Sequence, residues 1–333
     1  MGPLALSGIL YYILVPSFLT VVVLCILVRK FSKPYQQGFN YTKKEKQYFD
    51  PKEEKYKDFP SILDKSSIHL SVIVPAYDEQ NRLPSMLDEC LQFLESVETS
   101  GCYNYEVIIV NDGSKDKTSD VALGYVKKYT ANKVRLLELE TNRGKGGAVY
   151  MGIQCARGAV ILFADADGAT TFDDLTKLES ALELLLKNDY KINPEVIAEE
   201  SAIICGSRAH LEKEASAKRS LFRTILMHGF HFLVWLFAVR SIRDTQCGFK
   251  LLTRKAARLC FRSLHIKRWA FDVELLYIAE RYNIPIVEIA VRWTEIEGSK
   301  LVPFWSWLQM GRDLFLIWFR YTIGAWKLAE RED

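Results

Sequence analysis

The chain has 333 residues, 49% of them hydrophobic, and a formal net charge of +3 from 44 basic and 41 acidic side chains. That composition supports one large domain or two small ones with a sizeable core and excludes a disordered or fibrous chain. The near balance of charge excludes a global polycation, so no nucleic-acid partner is expected and any electrostatic function is local.

From Gly8 to Val28 no residue is charged, and about 21 residues at ~1.5 Å each reach about 31 Å, the thickness of a hydrocarbon core. The run is too long for the apolar region of a signal peptide, and it lacks a basic leader and a small-residue cleavage site. Residues 1–33 therefore read as a single-pass transmembrane anchor. Arg29, Lys30 and Lys33 follow it directly, which places the rest of the chain on the cytoplasmic side. Seven scattered cysteines, never spaced C-x-x-C, agree with a reducing compartment and argue against a disulfide framework or a zinc site. Residues 34–67, charged and tyrosine-rich without apolar periodicity, read as a linker or membrane-surface segment.

A folded domain is expected over 68–295. Short apolar runs alternate with amphipathic ones: Leu70–Val74 then Leu83–Val97, Glu106–Val110 then Lys117–Tyr129, Lys133–Leu139 then Gly147–Ala156, Val160–Ala164 then Asp173–Lys187. The alternation predicts an α/β fold with a parallel sheet covered on both faces by helices. Ligands of such sheets bind beyond the carboxyl ends of the strands, and the polar motifs fall there. Pro75-Ala76-Tyr77-Asp78-Glu79 follows the first strand, Asn111-Asp112-Gly113-Ser114 the second, Asn142-Arg143-Gly144-Lys145-Gly146 the third and Asp165-Ala166-Asp167 the fourth.

Asp165 and Asp167, one residue apart at a strand end, can face one site and hold Mg²⁺ or Mn²⁺ shared with substrate phosphates. Asp112 can accept hydrogen bonds from a base or ribose; an Asx turn or a helix cap is the other reading. The glycine turn with Arg143 and Lys145 suits phosphate, while its register excludes both the dinucleotide fingerprint and the P-loop. Leu221–Ile242 is apolar but short for a span, and Leu301–Leu328 intersperses tryptophans with arginines. Residues 296–333 thus read as a C-terminal amphipathic segment at the membrane interface. Packing of both stretches in the core, or at the interface of a homo-oligomer, is the alternative.

In order, PAYDE, VNDGSKDKT, NRGKGGA, DADGAT, GSR and DTQCGFK resemble the inverting GT-A glycosyltransferases of family 2, over roughly Leu70 to Trp293. The resemblance implies a Rossmann-like, mostly parallel sheet and a nucleotide-sugar site made by Pro75, Ala76, Tyr77, Glu79, Asp112, Gly113, Lys145, Asp165, Ala166 and Asp167. Within it Asp165 and Asp167 would hold the divalent metal, and Asp167 and Lys145 would act in the chemistry. Arg208, with Arg219 or Arg223, matches residues that grip an acceptor phosphate. Asp244 is the leading candidate for a carboxylate near the sugar or acceptor, followed by Asp272 and Glu274.

Within the family, the likeness is greatest to members of the endoplasmic reticulum membrane that pass glucose from UDP-glucose to dolichyl phosphate with inversion. Their product, dolichyl β-D-glucosyl phosphate, is the lipid-linked glucose donor for protein N-glycosylation. Mannose transfer from GDP-mannose is the alternative on the same fold, and a non-catalytic membrane scaffold is the alternative outside it. Ala169 stands where related mannose synthases carry a further metal-coordinating side chain, which leaves the number of protein ligands open.

Overall fold

A computed structural model describes residues 3–31, 42–101, 103–211, 229, 234, 242–296, 298 and 303–330. Arg219, Arg223 and most of the 221–242 stretch lie outside them. Helix α1 spans Pro3–Phe31, and its side chains are described from Leu14 to Lys30. Along that stretch Leu14, Phe18, Leu19, Val21, Val23, Leu24, Ile26 and Leu27 are exposed. Among the described residues no helix is long and apolar enough to cross a membrane.

Within the stretch that reads as a linker, β1 (Gln47–Asp50) and β2 (Lys55–Asp58) pair as an antiparallel hairpin. The elements that follow are β3 (Ile68–Ala76), α2 (Leu83–Thr99), β4 (Tyr105–Asn111), α3 (Thr118–Tyr129), β5 (Val134–Glu138), α4 (Lys145–Gln154) and β6 (Gly158–Ala164). Then come α5 (Leu175–Leu186), α6 (Pro194–Glu199), β7 (Ile203–Ser207), β8 (Phe249–Thr253), α7 (Arg254–Ser263), α8 (Phe271–Arg281), β9 (Ile286–Ala290) and α9 (Pro303–Thr322).

Strands β3 to β9 form one seven-stranded sheet of order β5-β4-β3-β6-β8-β7-β9. The central strands are apolar on both faces because helices cover both. Val72, Val74, Val107, Ile109, Val160 and Leu162 pack into one core with α2, α3 and α5. The alternating residues Ile73, Ile108, Val110, Ile161 and Phe163 pack into the other with α4, α7 and α8, the period of two that a doubly covered strand requires. The chain adds β4 and β5 on one side of β3 and then crosses to place β6 on the other. This reversal opens the crevice at the strands' carboxyl ends.

The sheet is mostly parallel, as expected, and β8 is the antiparallel member, paired with both β6 and β7. Its reversed sense brings Phe249 opposite Ala164, the last residue of β6, so the DTQCGFK loop lies at the edge where the other motifs are. Helix α9 is amphipathic, as its sequence predicts. Met310, Leu314 and Ile317 are buried while Leu308, Phe315 and Trp318 are exposed, so one face belongs to the core.

The opposite edge of the sheet is sealed by neutralised charge. The Glu106 carboxylate, fully buried, accepts from Ser71 Oγ at 2.6 Å, Arg135 Nη1 at 2.9 Å and both the backbone N and Nε of Arg157 at 2.8 Å. Arg254, 1% exposed, donates to the carbonyls of Ser61, Asp64, Ala156 and Gly158 at 2.8–3.2 Å. Buried carbonyls stripped of donors are expensive, so Arg254→Met should lower the unfolding free energy by about 3 kcal/mol in a denaturant melt. A loss below about 1 kcal/mol would mean that water satisfies these carbonyls equally well.

Candidate active site

Strands β3, β4, β5, β6 and β7 end on one edge of the sheet; PAYDE, VNDGSKDKT, DADGAT and GSR lie at the ends of β3, β4, β6 and β7, NRGKGGA follows β5, and DTQCGFK leads into the antiparallel β8 from the same edge. The loops after β3 and β4 are stitched to one another. Asp78 N donates to Ser114 Oγ at 3.0 Å, and Lys115 N to Asp78 Oδ1 at 2.7 Å. Gln80 N donates to Asp116 Oδ2 at 3.1 Å, and Lys117 N to Gln80 Oε1 at 2.9 Å. Asp78 sits in the left-handed region, φ +53°, which a short polar side chain tolerates.

Asp165 and Asp167 lie together at the end of β6, both half-buried. Asp165 lies directly over Gly248: a Cβ on that glycine would fall 2.0 Å from Asp165 Oδ2. Asp165 N also donates to Gly248 O at 3.0 Å, so β8 carries the floor on which the first carboxylate rests. Lys145 Nζ meets Asp165 Oδ1 at 2.6 Å. Burial disfavours the lysine's charge, but Asp165 and Asp272 outweigh it and hold its pKa above the ordinary value. Asp167 accepts from Ala169 N at 3.0 Å, and burial together with the Asp165 charge raises its pKa.

This donor set fits a divalent cation. Two hard oxygen donors side by side, with the Asp167 charge disfavoured by burial and by Asp165, suit a doubly charged ion that completes its shell with phosphate oxygens. Among the described residues no group of three or more His, Cys, Asp or Glu side chains is arranged to hold a metal. A cation here would therefore rest on the aspartate pair and on ligands from the substrate.

Behind Lys145 lies a second, fully interior pair. Lys250 Nζ, with no exposure, donates to Asp272 Oδ1 and to Cys247 O, both at 2.6 Å. Asp272 thus supplies negative charge to both Lys250 and Lys145 from the first turn of α8. Glu274, the other second choice, does structural work: it accepts from His265 N at 2.9 Å, Ile266 N at 2.5 Å and Tyr321 OH at 3.1 Å.

The glycine turn is closely packed on its α8 side. A Cβ on Gly146 would fall 2.5 Å from Phe271 Cβ, and Gly147 N donates to Lys267 O at 2.9 Å. Small residues are needed there so that the segment entering α8 can press against α4. Arg143 is likewise engaged, its Nη2 meeting both Glu45 oxygens at 2.8 and 2.7 Å. Lys145 is the basic side chain of this turn that reaches the aspartates.

Asp112, 3% exposed, accepts from Arg143 N at 2.7 Å through Oδ1 and from Gly144 N at 2.9 Å through Oδ2. Burial pushes its pKa up to about 7 despite these two donors. These contacts are neither an Asx turn nor a cap of α3: Asp112 pins the loop that follows β5. Gly113, φ +69°, lies where a Cβ would come 3.0 Å from Asn142 N. Ala76 is buried, with Pro75 and Tyr77 half-buried beside it. Glu79 grips Arg82, through Nε at 2.6 Å and a second contact through Nη2.

Asp244, the leading candidate for a carboxylate near the sugar or acceptor, faces Arg208, the residue matched to the acceptor phosphate. Arg208 Nε and Nη2 meet it at 2.7 and 2.8 Å, and Arg208 N adds a third bond at 2.8 Å. Burial opposes the Asp244 charge, but Arg208 overrides it and lowers the pKa, which weakens the group as a proton acceptor. Glu288 on β9 holds the Arg243 and Asp244 backbone N–H groups at 3.1 and 2.9 Å, and Trp293 lies 5.4 Å from the Arg208 guanidinium carbon.

Sequence reasoning missed Arg82, Lys250, Gly248 and Glu45. The first three had a signal: Arg82 follows Glu79 by three residues, and the other two stand inside DTQCGFK. Asp165 and Asp167 both act on the charge of Arg82, so it belongs to the same electrostatic cluster.

The profile described as Glycosyl transferase family 2 matches residues 71–259, the stretch that runs from within β3 through β8, and the chain belongs to that family. It is 60% identical over 326 residues to the dolichyl-phosphate beta-glucosyltransferase of Drosophila melanogaster, covering 97% of each chain. To the Homo sapiens protein of the same name it is 60% identical over 272 residues, 81% of each chain. To that of Saccharomyces cerevisiae it is 41% identical over 268 residues, 79% of this chain and 78% of that one.

Because Asp165 occupies the space a Cβ would need, Gly248→Ala should displace it from Lys145 and lower transferase turnover by about a hundredfold, the scale of losing one preorganised electrostatic contact. Its melting temperature should stay within a few degrees of the parent. Turnover above about half would show that the carboxylate can move without consequence.

Proposed function

We propose that this enzyme transfers glucose from UDP-glucose to dolichyl phosphate with inversion, giving dolichyl β-D-glucosyl phosphate. The observation that carries the reading is the convergence of Asp165, Asp167 and Lys145 at the carboxyl edge of the sheet. The names of relatives 60% identical over 97% and 81% of the chain support the acceptor and the sugar.

A polyprenyl phosphate is already ionised near pH 7, so its oxygen can attack the anomeric carbon without a strong base. The protein's task is then positioning and charge. An Arg208 whose Nε–Nη2 edge is taken by Asp244 is held in one orientation, and its Nη1 hydrogens are the ones that would meet the acceptor phosphate. Arg219 and Arg223 are proposed to join it. Lys145 stays protonated and offsets negative charge developing on the departing diphosphate. Mg²⁺ or Mn²⁺ on Asp165 and Asp167 would supply Lewis-acid stabilisation of that leaving group.

The same reading includes an anchor. The exposed apolar side chains of α1 require a nonpolar surrounding, and we propose that α1 lies in the endoplasmic reticulum membrane with Arg29 and Lys30 on the cytoplasmic side. Leu308, Phe315 and Trp318 on α9 would rest at headgroup depth. This arrangement suits a substrate whose prenyl chain stays in the bilayer.

Membranes containing the protein should incorporate label into dolichyl phosphate from radiolabelled UDP-glucose, and not from UDP-N-acetylglucosamine or GDP-mannose. EDTA should abolish this, and Asp167→Ala should leave less than about a tenth of the turnover with an unchanged melt. Label entering lipid only from GDP-mannose would overturn the donor assignment.

A further inference from the structure

The chain before the family-2 domain reaches into the donor side of the site. Glu45 lies well before residue 71, where the family match starts, yet it is fully buried. A buried carboxylate is costly unless every lone pair is engaged, and the partners of this one are specific. Arg143 Nη2 donates to both oxygens at 2.7 and 2.8 Å, and Glu140 N donates to Oε1 at 3.1 Å.

Thr42 N donates to Oε2 at 3.1 Å, and Glu45 N returns a bond to Thr42 Oγ1 at 3.3 Å. This reciprocal pair is the capping box of a T-x-x-E sequence, and it orients Glu45 independently of Arg143. Phe59 N donates to Lys46 O at 2.8 Å, which closes the base of the β1–β2 hairpin next to it. The 140–144 loop is therefore clamped from two sides: Glu45 holds Glu140 N and the Arg143 side chain, while Asp112 holds Arg143 N and Gly144 N. The next residue is Lys145, which meets Asp165 at 2.6 Å.

We propose that Glu45 is a positioning residue of the donor site, acting through Arg143 to fix the turn that presents Lys145 to Asp165. The segment from Thr42 to Asp58 is then a working part of the transferase rather than a tether. Phe31, the end of α1, precedes Thr42 by a linker of about ten residues, which reaches at most about 40 Å. The donor turn is thus tied on a short chain to the proposed anchor.

The inference rests on the proposed reading of the site as a nucleotide-sugar site, and the test separates the two. Full-length wild type, Glu45→Ala, Glu45→Gln and Arg143→Ala are assayed for transfer at varied UDP-glucose and varied dolichyl phosphate. Equilibrium binding of UDP and of GDP is measured in parallel. Glu45→Ala should raise the donor KM about tenfold and lower kcat with it, because Lys145 acts on the departing diphosphate, while leaving the acceptor KM within about threefold. Glu45→Gln, which keeps an acceptor for the backbone donors, should fall between. The double variant with Arg143→Ala should be no worse than the worse single one.

A merely structural contact would reduce the fraction of active enzyme and leave the donor KM unchanged. A folded Glu45→Ala with donor KM within twofold of wild type would overturn the proposal; if that variant does not fold, the same result for Glu45→Gln would do so. If wild type transfers no glucose, the reading of the reaction fails. The change in nucleotide affinity between wild type and Glu45→Gln then decides the positioning role on its own.

Discussion

Two carboxylates packed side by side at the rim of a low-dielectric sheet are unstable by themselves, and the surrounding structure answers that instability. Asp165 can lie at the end of β6 because position 248 has no side chain, and Lys145 meets it there at 2.6 Å. Lys145 is in turn held charged against its own burial by Asp165 and Asp272, and Asp272 is compensated by the interior Lys250. Charge is passed inward residue by residue until the last cation sits between α8 and the start of β8.

The two edges of the sheet use charge in opposite ways. At the amino end of the central strands Glu106 faces Arg135 and Arg157, and Arg254 is bonded to four carbonyls. Those groups close the edge. At the carboxyl end, Asp167 remains against Asp165 with its pKa raised by burial and repulsion. Lys145 and Arg82 offset that repulsion only in part, and a perturbed carboxylate cluster of this kind in a crevice marks a functional site.

Three connections distant in sequence make the site rigid. The antiparallel β8 delivers Gly248 and the Asp244–Arg208 pair, the loops after β3 and β4 lock through Asp78, Ser114, Gln80 and Asp116, and Glu45 closes the Arg143 turn. On the outer side, a Cβ on Gly324, just beyond α9, would lie 3.8 Å from Arg29 Nε near the end of α1. The end of α1 and the turn after α9 therefore lie together.

The sequence by itself determined the alternation of strand and helix, the doubly covered sheet and the positions of Asp165, Asp167 and Lys145 at strand ends. These depend on local periodicity and on residues adjacent to a strand, which a linear reading sees. It also placed Asp112 beside the site while leaving its partner open. Only the tertiary structure decided that Asp112 holds the Arg143–Gly144 backbone, that Asp244 serves Arg208, and that Arg143 turns to Glu45 nearly a hundred positions earlier. The reason is the range of the forces: apolar patterning repeats every two or four residues, whereas a buried charge takes whichever opposite charge the fold brings within about 3 Å, and that choice has no trace in spacing.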